Sequence, residues 1–159
     1  MTFAMDVIAP DTPVAVRQGP RPLTTRAEIP HDQLDQPSPP EIRERLLAHA
    51  RALPDVVVGQ SVVSEPASIG LRLPGSTAGR EAFLAFDEFA HVHRSGFLHL
   101  TLPLWLIPRL DQAGWLEPHP IVRRPQFPET IVMLYAPRDE EGLALTAAVL
   151  NTSYAMARG

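Results

Sequence analysis

The chain contains no cysteine among its 159 residues. Disulfides, thiolate zinc sites, iron–sulfur clusters and a cysteine nucleophile are therefore excluded, and any metal ion would have to be held by histidine and carboxylate side chains. The 14 lysine and arginine residues are outnumbered by 18 aspartates and glutamates and are scattered along the chain. Because no basic stripe exists that would neutralise a run of phosphates, a nucleic-acid partner is not expected.

Long apolar runs are also lacking. No apolar segment approaches the ~20 residues that span a bilayer, and the first eight residues carry Asp6 where a secretory signal would carry basic residues. These absences predict a cytoplasmic protein without a membrane partner. With 45% apolar residues and a net charge of −4, the chain suits one compact domain.

Proline, by contrast, is abundant. Eight of the 18 prolines fall in the first 40 residues, where apolar periodicity is absent. Residues 1–37 are therefore predicted to form an extended or disordered arm, and residues 38–159 a single domain. An arm that wraps a partner subunit is the alternative to disorder, and together with exposed sheet edges it makes a homodimer a reasonable assembly.

Beyond the arm, the hydrophobic pattern predicts an α+β fold, a small and mostly antiparallel sheet with flanking helices. Ser38 is expected to cap a helix that ends near Leu53. Apolar runs predict strands at 56–63, 69–73, 89–93, 97–102 and 131–135. The run at 80–86 is ambiguous between helix and strand, and a strand is favoured. Further helices are predicted at 104–112 and 139–157, the last being a long C-terminal helix with acidic residues at its start.

A histidine cluster is the main chemical signal: His91, His93, His99 and His119 lie within 29 residues of one another. In a strand, His91 and His93 share a face. A two-residue turn at Ser95-Gly96 would put His99 on the opposite face, whereas a three- or five-residue loop would pair it with His93 on the same face. Ser-Gly is not a preferred pair for a tight turn, so the longer loop and a three-histidine site are favoured.

The role of the cluster stays open between three interpretations. The rings could bind a metal, one ring could act as a base oriented by another, or all could be structural histidines at a sheet edge. The cofactor is thus either absent or a single divalent metal held by His91, His93 and His99. His31 and His49 have no comparable neighbours in the sequence and are predicted to be surface residues.

Five segments, in order, resemble motifs of the luciferase-like domain family, which includes fungal luciferase and small bacterial proteins. The resemblance spans roughly residues 80–157, and its most specific part is the Leu-Tyr-Ala-Pro-Arg stretch before the last helix. The segments are Phe89–His93, Leu98–Leu102, Ala113–Trp115, Glu117–Pro120 and Met133–Glu141.

This resemblance implies an oxygenase-like enzyme of secondary metabolism. The fungal member oxygenates a 3-hydroxy-2-pyrone to a peroxide that loses carbon dioxide with emission of light. For this chain the resemblance implies an enolisable polyketide-like or aromatic small molecule as substrate, with dioxygen as co-substrate. The catalytic positions so implied are His91, His93, His99, His119, Tyr135 and Arg138, and the substrate-binding positions are Phe97 and Trp115.

Competing functions use the same residues. An oxygen-independent cyclase, isomerase or lyase would need only proton transfer, and a ligand- or metal-binding module would need no catalysis. Arg138 also has an alternative role, in which it pairs with the acidic residues that start the last helix.

Overall fold

A six-stranded antiparallel sheet forms the centre of the fold in the computed structural model, which describes residues 5–159. Its strand order is β1-β2-β3-β4-β6-β5. The strands are β1 (Val57–Gln60), β2 (Ile69–Arg72), β3 (Glu88–Val92), β4 (Leu98–Thr101), β5 (Leu116–Pro118) and β6 (Ile131–Leu134).

Three helices accompany the sheet, and together they confirm the α+β prediction. They are α1 (Pro40–Arg51), α2 (Ile107–Gln112) and α3 (Glu140–Arg158), with single 3₁₀ turns at Arg80–Ala82 and Pro120–Arg123. The long C-terminal helix begins after Asp139, whose carboxylate accepts a hydrogen bond from Gly142 N at 2.8 Å. None of the helices formed by residues 5–159 is long and apolar enough to cross a bilayer.

Two local predictions are wrong. Ser38 does not cap α1. Pro39 precedes Pro40 and is therefore held extended, so Pro39 takes the cap position, and Ser38 N donates to Ser95 O at 2.8 Å. The run at 80–86 is not a strand but a 3₁₀ turn followed by a loop. Its apolar residues Phe83 and Leu84 are nevertheless buried, whereas Phe86 is exposed, so burial accounts for only part of the apolar run.

One face of the sheet carries the hydrophobic core. Val92, Leu98, Leu134 and Leu116 are paired in turn across four strands and are almost completely buried. Because cross-strand partners share a face, they form one apolar row that belongs to the same core as the inner sides of α1 and α3.

The neighbouring row of pairs points to the opposite face and has a different composition. It consists of Gly70, His91, His99, Met133 and Glu117, each paired with the next across β2, β3, β4, β6 and β5. Two imidazoles and a carboxylate therefore lie in line on this face, which we call the polar face.

Residues 24–33 of the N-terminal segment lie on the polar face, whereas Ile8 is buried in the core, and residues 5–37 form no helix or multi-residue strand. Thr24 and His31 both contact the Glu117 carboxylate, and Gln33 Oε1 accepts a hydrogen bond from Ala136 N at 3.0 Å. The surface position predicted for His31 is wrong, since only 3% of the residue is exposed. The segment has no periodicity of its own, so nothing local in the sequence indicates that it is buried.

His49 is also buried, contrary to the prediction. It lies between α1 and α3, where its Nε2 is 2.7 Å from Asn151 Oδ1. A polar partner on the facing helix allows a histidine at this packed position, and that partner is 102 residues away in the chain.

Candidate functional site

The β3–β4 hairpin brings three of the predicted histidines to one face. His93 N donates to Phe97 O at 2.8 Å, so the turn has three residues, with Gly96 at a φ of +102° that suits glycine. The predicted longer loop is confirmed, but the predicted pairing partner is wrong. His99 pairs with His91, not with His93, because a three-residue turn pairs residue 93 with residue 97. His91 is two positions from His93 in the strand, so the predicted face is unchanged.

His99 lies at the centre of a five-histidine cluster. Its Nδ1 is 3.1 Å from both His91 Nε2 and His93 Nε2, and its Nε2 is 3.1 Å from His31 Nδ1. The His119 ring centroid lies 4.7 Å from that of His99 and 4.5 Å from that of His31. Three separate parts of the chain therefore meet here, and all five residues are buried.

A carboxylate lies behind each of three outer histidines. Glu88 Oε2 is 2.8 Å from His91 Nδ1, and Glu65 Oε1 is 3.1 Å from His93 Nδ1. Glu117 Oε2 is 2.9 Å from His31 Nε2. These contacts orient the rings and fix which nitrogen of each ring carries a proton.

A β-bulge places Glu88 beside His91. Residues three apart in a regular strand point to opposite faces, but the register shifts between Leu71 and Arg72 of β2, so that Phe89 is left over on β3. Glu88 consequently reaches the polar face. Gly70 makes room for it, since a Cβ at this glycine would lie 2.5 Å from Glu88 Oε1.

Glu88 and Glu117 are held as carboxylates although they are buried. Burial opposes ionisation of Glu88, but hydrogen bonds from His91, Val62 N and Ser61 outweigh it and lower its pKa. Burial likewise opposes ionisation of Glu117, whose pKa is lowered by hydrogen bonds from His31 and Tyr135.

The central histidines are held in the neutral form. Burial, followed by repulsion from His91, lowers the pKa of His93 to about 4. Burial, followed by repulsion from His31, lowers the pKa of His119 to about 4. Burial and then the charges of His91 and His93 lower the pKa of His99 well below its usual value. At neutral pH, these three rings therefore keep a lone pair.

This electrostatic arrangement predicts acid lability of the metal-free protein. A histidine whose pKa is lower in the folded state takes up its proton first in the unfolded state, so stability falls as pH drops from about 6.5 to about 4. At about 1.4 kcal/mol per pKa unit, the loss for either His93 or His119 is on the order of 3 kcal/mol. Urea midpoints measured between pH 8 and pH 4 in EDTA test this. The His119→Ala variant is expected to show a flatter profile, and an unchanged profile would contradict the assignment.

A cavity of about 480 Å³ opens onto the cluster. His31, His91, His93, His99 and His119 form part of its wall, and Asp32 and Glu65 add carboxylates. The remaining wall is mostly apolar: Ile29, Pro30, Val63, Leu84, Ala85, Ile121, Phe127 and Ile131. A cavity of this size, apolar apart from a few converging polar groups, is typical of small-molecule sites.

His119 presents a hydrogen-bond donor to the site. Its Nδ1 accepts a hydrogen bond from Ile121 N at 3.0 Å, so in the neutral ring the proton is on Nε2. The β5 strand and the 3₁₀ turn that follows it therefore fix the tautomer of this histidine.

The other predicted site residues do not line this cavity. Phe97 stacks under His93, with ring centroids 3.9 Å apart, and Trp115 Nε1 donates to Ala15 O at 2.7 Å. Tyr135 lines a second pocket and donates its hydroxyl proton to Glu117 at 3.0 Å. Arg138 donates to Gln36 Oε1 and Gln18 O of the N-terminal segment. The roles predicted for these residues at a substrate remain predictions.

Sequence reasoning missed four residues of the site, namely His31, Glu65, Glu88 and Glu117. Glu88 offered a signal, since an acidic residue directly precedes the apolar and histidine residues of β3. Glu117 lies in one of the segments that resemble the family's motifs, but no role was predicted for it. His31 and Glu65 are brought in by tertiary packing alone.

Comparison with known proteins bears on the segment that carries the hairpin. A family model described as Luciferase domain matches residues 87–153. Over this segment the chain is similar to the Luciferase domain family. The predicted resemblance is thereby confirmed, whereas neither the curated proteins nor the solved structures contain a match to the chain. The Luciferase domain match includes Glu88, the hairpin histidines, Glu117 and His119, but His31 and Glu65 lie before it.

Proposed function

We propose that this protein is an enzyme that oxygenates an enolisable, flat small molecule of the polyketide-like or aromatic class, bound in the cavity over the histidine cluster. One observation carries the proposal: histidines from three distant segments converge on a cavity of about 480 Å³ whose other walls are mostly apolar. The Luciferase domain match supports oxygenation as the reaction type.

The apolar walls suit a planar ring, and the polar wall suits its enol oxygens. An enol that gives its proton to a carboxylate of the cavity wall becomes an electron-rich enolate, and the His119 Nε2–H is a donor for the developing oxygen charge. Two electrons of the enolate reduce dioxygen as the new carbon–oxygen bond forms, and a proton then completes a hydroperoxide. Burial of the cluster excludes water from this sequence.

Oxygen uptake tests the proposal directly. The untagged protein is incubated with 3-hydroxy-2-pyrones in an oxygen electrode, and substrate loss is followed by chromatography. We expect one dioxygen consumed per substrate, and no uptake with the His119→Ala variant.

The matched control is His49→Ala, which removes a buried histidine that does not line the cavity. It is expected to lower the melting temperature and keep oxygen uptake. Substrate conversion without oxygen uptake would instead identify a cyclase, isomerase or lyase. Binding without conversion would identify a ligand-binding module, and either result would overturn oxygenation.

A further inference from the structure

We propose that His91 Nε2, His93 Nε2 and His99 Nδ1 bind one divalent transition-metal ion. The inference rests on the proposed function in taking the same cavity as the site, but metal binding is measured separately from turnover. The surrounding hydrogen bonds determine which nitrogen of each ring carries a proton.

The two outer histidines each have one nitrogen facing a carboxylate. An ionised carboxylate only accepts hydrogen bonds, so Glu88 requires a proton on His91 Nδ1, and Glu65 requires one on His93 Nδ1. In a neutral imidazole the second nitrogen is then unprotonated. His91 Nε2 and His93 Nε2 therefore both carry bare lone pairs.

The central histidine reaches the same state through a longer chain of contacts. Glu117 requires a proton on His31 Nε2, which leaves His31 Nδ1 as an acceptor. His31 Nδ1 can accept only from His99 Nε2, at 3.1 Å. His99 Nδ1 is therefore unprotonated as well. A relay of Glu117, His31 and His99 thus carries the orienting effect of a carboxylate one ring further than usual.

Three lone pairs consequently meet with no proton between them. His99 Nδ1 lies 3.1 Å from each of the other two nitrogens, and all three ligand atoms lie within 4.8 Å of one another. A cation is the chemical partner that such an arrangement requires. Zinc–nitrogen bonds of about 2.0–2.1 Å in a tetrahedral site place nitrogens roughly 3.4 Å apart, close to the spacing found here.

The chemistry of the donors narrows the class of metal. Three neutral imidazoles and no thiolate suit zinc, iron(II), cobalt, nickel or copper, and do not suit magnesium or calcium. Three protein ligands leave a coordination position open, as in catalytic rather than structural sites.

A second triplet, His31, His99 and His119, also has its nitrogens within 4.8 Å of one another. It is less prepared for a metal, because the His31–His99 contact holds a proton and His119 Nδ1 is occupied by Ile121 N–H. In the triplet of His91, His93 and His99, all three facing nitrogens are unprotonated, and we therefore assign the metal to this triplet.

Isothermal titration with zinc sulfate tests the assignment on untagged, EDTA-treated protein. We expect one equivalent bound by the wild type, none by His93→Ala, and unchanged binding by His119→Ala and His49→Ala. Binding below about a tenth of an equivalent by the wild type would overturn the site. Loss in His119→Ala with retention in His93→Ala would overturn the choice of ligands.

Glu88→Gln provides a test that does not remove a ligand. The amide must keep its oxygen toward Val62 N–H, so its NH₂ group faces His91 Nδ1 and moves the ring proton to Nε2. We expect zinc affinity to fall about 10- to 100-fold, and ¹⁵N chemical shifts to report the changed tautomer. An unchanged affinity with a changed tautomer would overturn the proton argument.

The outcomes separate this inference from the proposed function. Zinc binding without oxygen uptake by any metal-loaded form would leave the metal site standing and overturn oxygenation. Full oxygen uptake by EDTA-treated protein that binds no metal would do the reverse.

Discussion

The His93→Ala variant is expected to lose turnover by about 100-fold or more, with a melting temperature only a few degrees below the wild type. Activity should fall because His93 contributes one of the three converging lone pairs on the wall of the cavity. Stability should change little, because the partner it leaves, Glu65, has a side chain 48% exposed that water can solvate.

The size of the stability change can be bounded. Loss of the stacking contact with Phe97 costs about 1 kcal/mol, which corresponds to about 2–4 °C for a chain of this length. Turnover and differential scanning calorimetry on the same preparation test both parts. A drop of more than about 10 °C with residual activity near wild type would assign His93 to structure instead.

The choice of His93 over His91 follows from what each histidine leaves behind. Removing His91 withdraws a hydrogen bond from Glu88, which is 0% exposed. A loss of activity in His91→Ala would therefore combine chemistry and destabilisation, whereas His93→Ala separates them.

Glu88→Ala is expected to lower the free energy of unfolding by about 3–5 kcal/mol, the usual cost of breaking a buried charged network from one side. The substitution leaves Ser61 Oγ, Val62 N and His91 Nδ1 without the acceptor they share, and both Ser61 and His91 are buried. It also opens a space beneath Gly70. Urea unfolding in EDTA measures the loss without a contribution from bound metal.

Glu65→Ala is the matched control, since it removes a carboxylate that also pairs with a hairpin histidine but lies at the solvent. Its free energy of unfolding is expected to change by less than about 1 kcal/mol. Equal losses in the two variants would show that burial of Glu88 does not govern its contribution.

The hairpin illustrates what the sequence can predict. Strand parity is a local property, so the spacing of His91, His93 and His99 and the poor turn propensity of Ser95-Gly96 were enough to place the three rings on one face. The partner of His99 was misjudged, because a loop of three residues and one of five give the same parity with different registers.

Glu88 shows where the same reasoning fails. Parity assigns positions 88 and 91 to opposite faces, and only the bulge at Phe89 reverses this. The bulge depends on pairing with β2 and on the missing side chain at Gly70, so it results from contacts distant in sequence.

His31 shows a different limit. Proline-rich composition predicts an extended or disordered arm over residues 1–37, but composition carries no information about what a segment packs against. His31 is held beside His99 by Glu117, whose carboxylate contacts both His31 and Thr24.

The position of residues 24–33 on the polar face determines how short a fragment can be and still contain the complete site. A fragment trimmed to the recognisable stretch 87–153 would keep His91, His93 and His99 but lose their outer partners His31 and Glu65. It would also lose β1 and β2, and with them the neighbouring strand of β3. The segment that matches the family model is thus shorter than the part of the chain that assembles the site. Truncated variants made to keep the site should begin before residue 24.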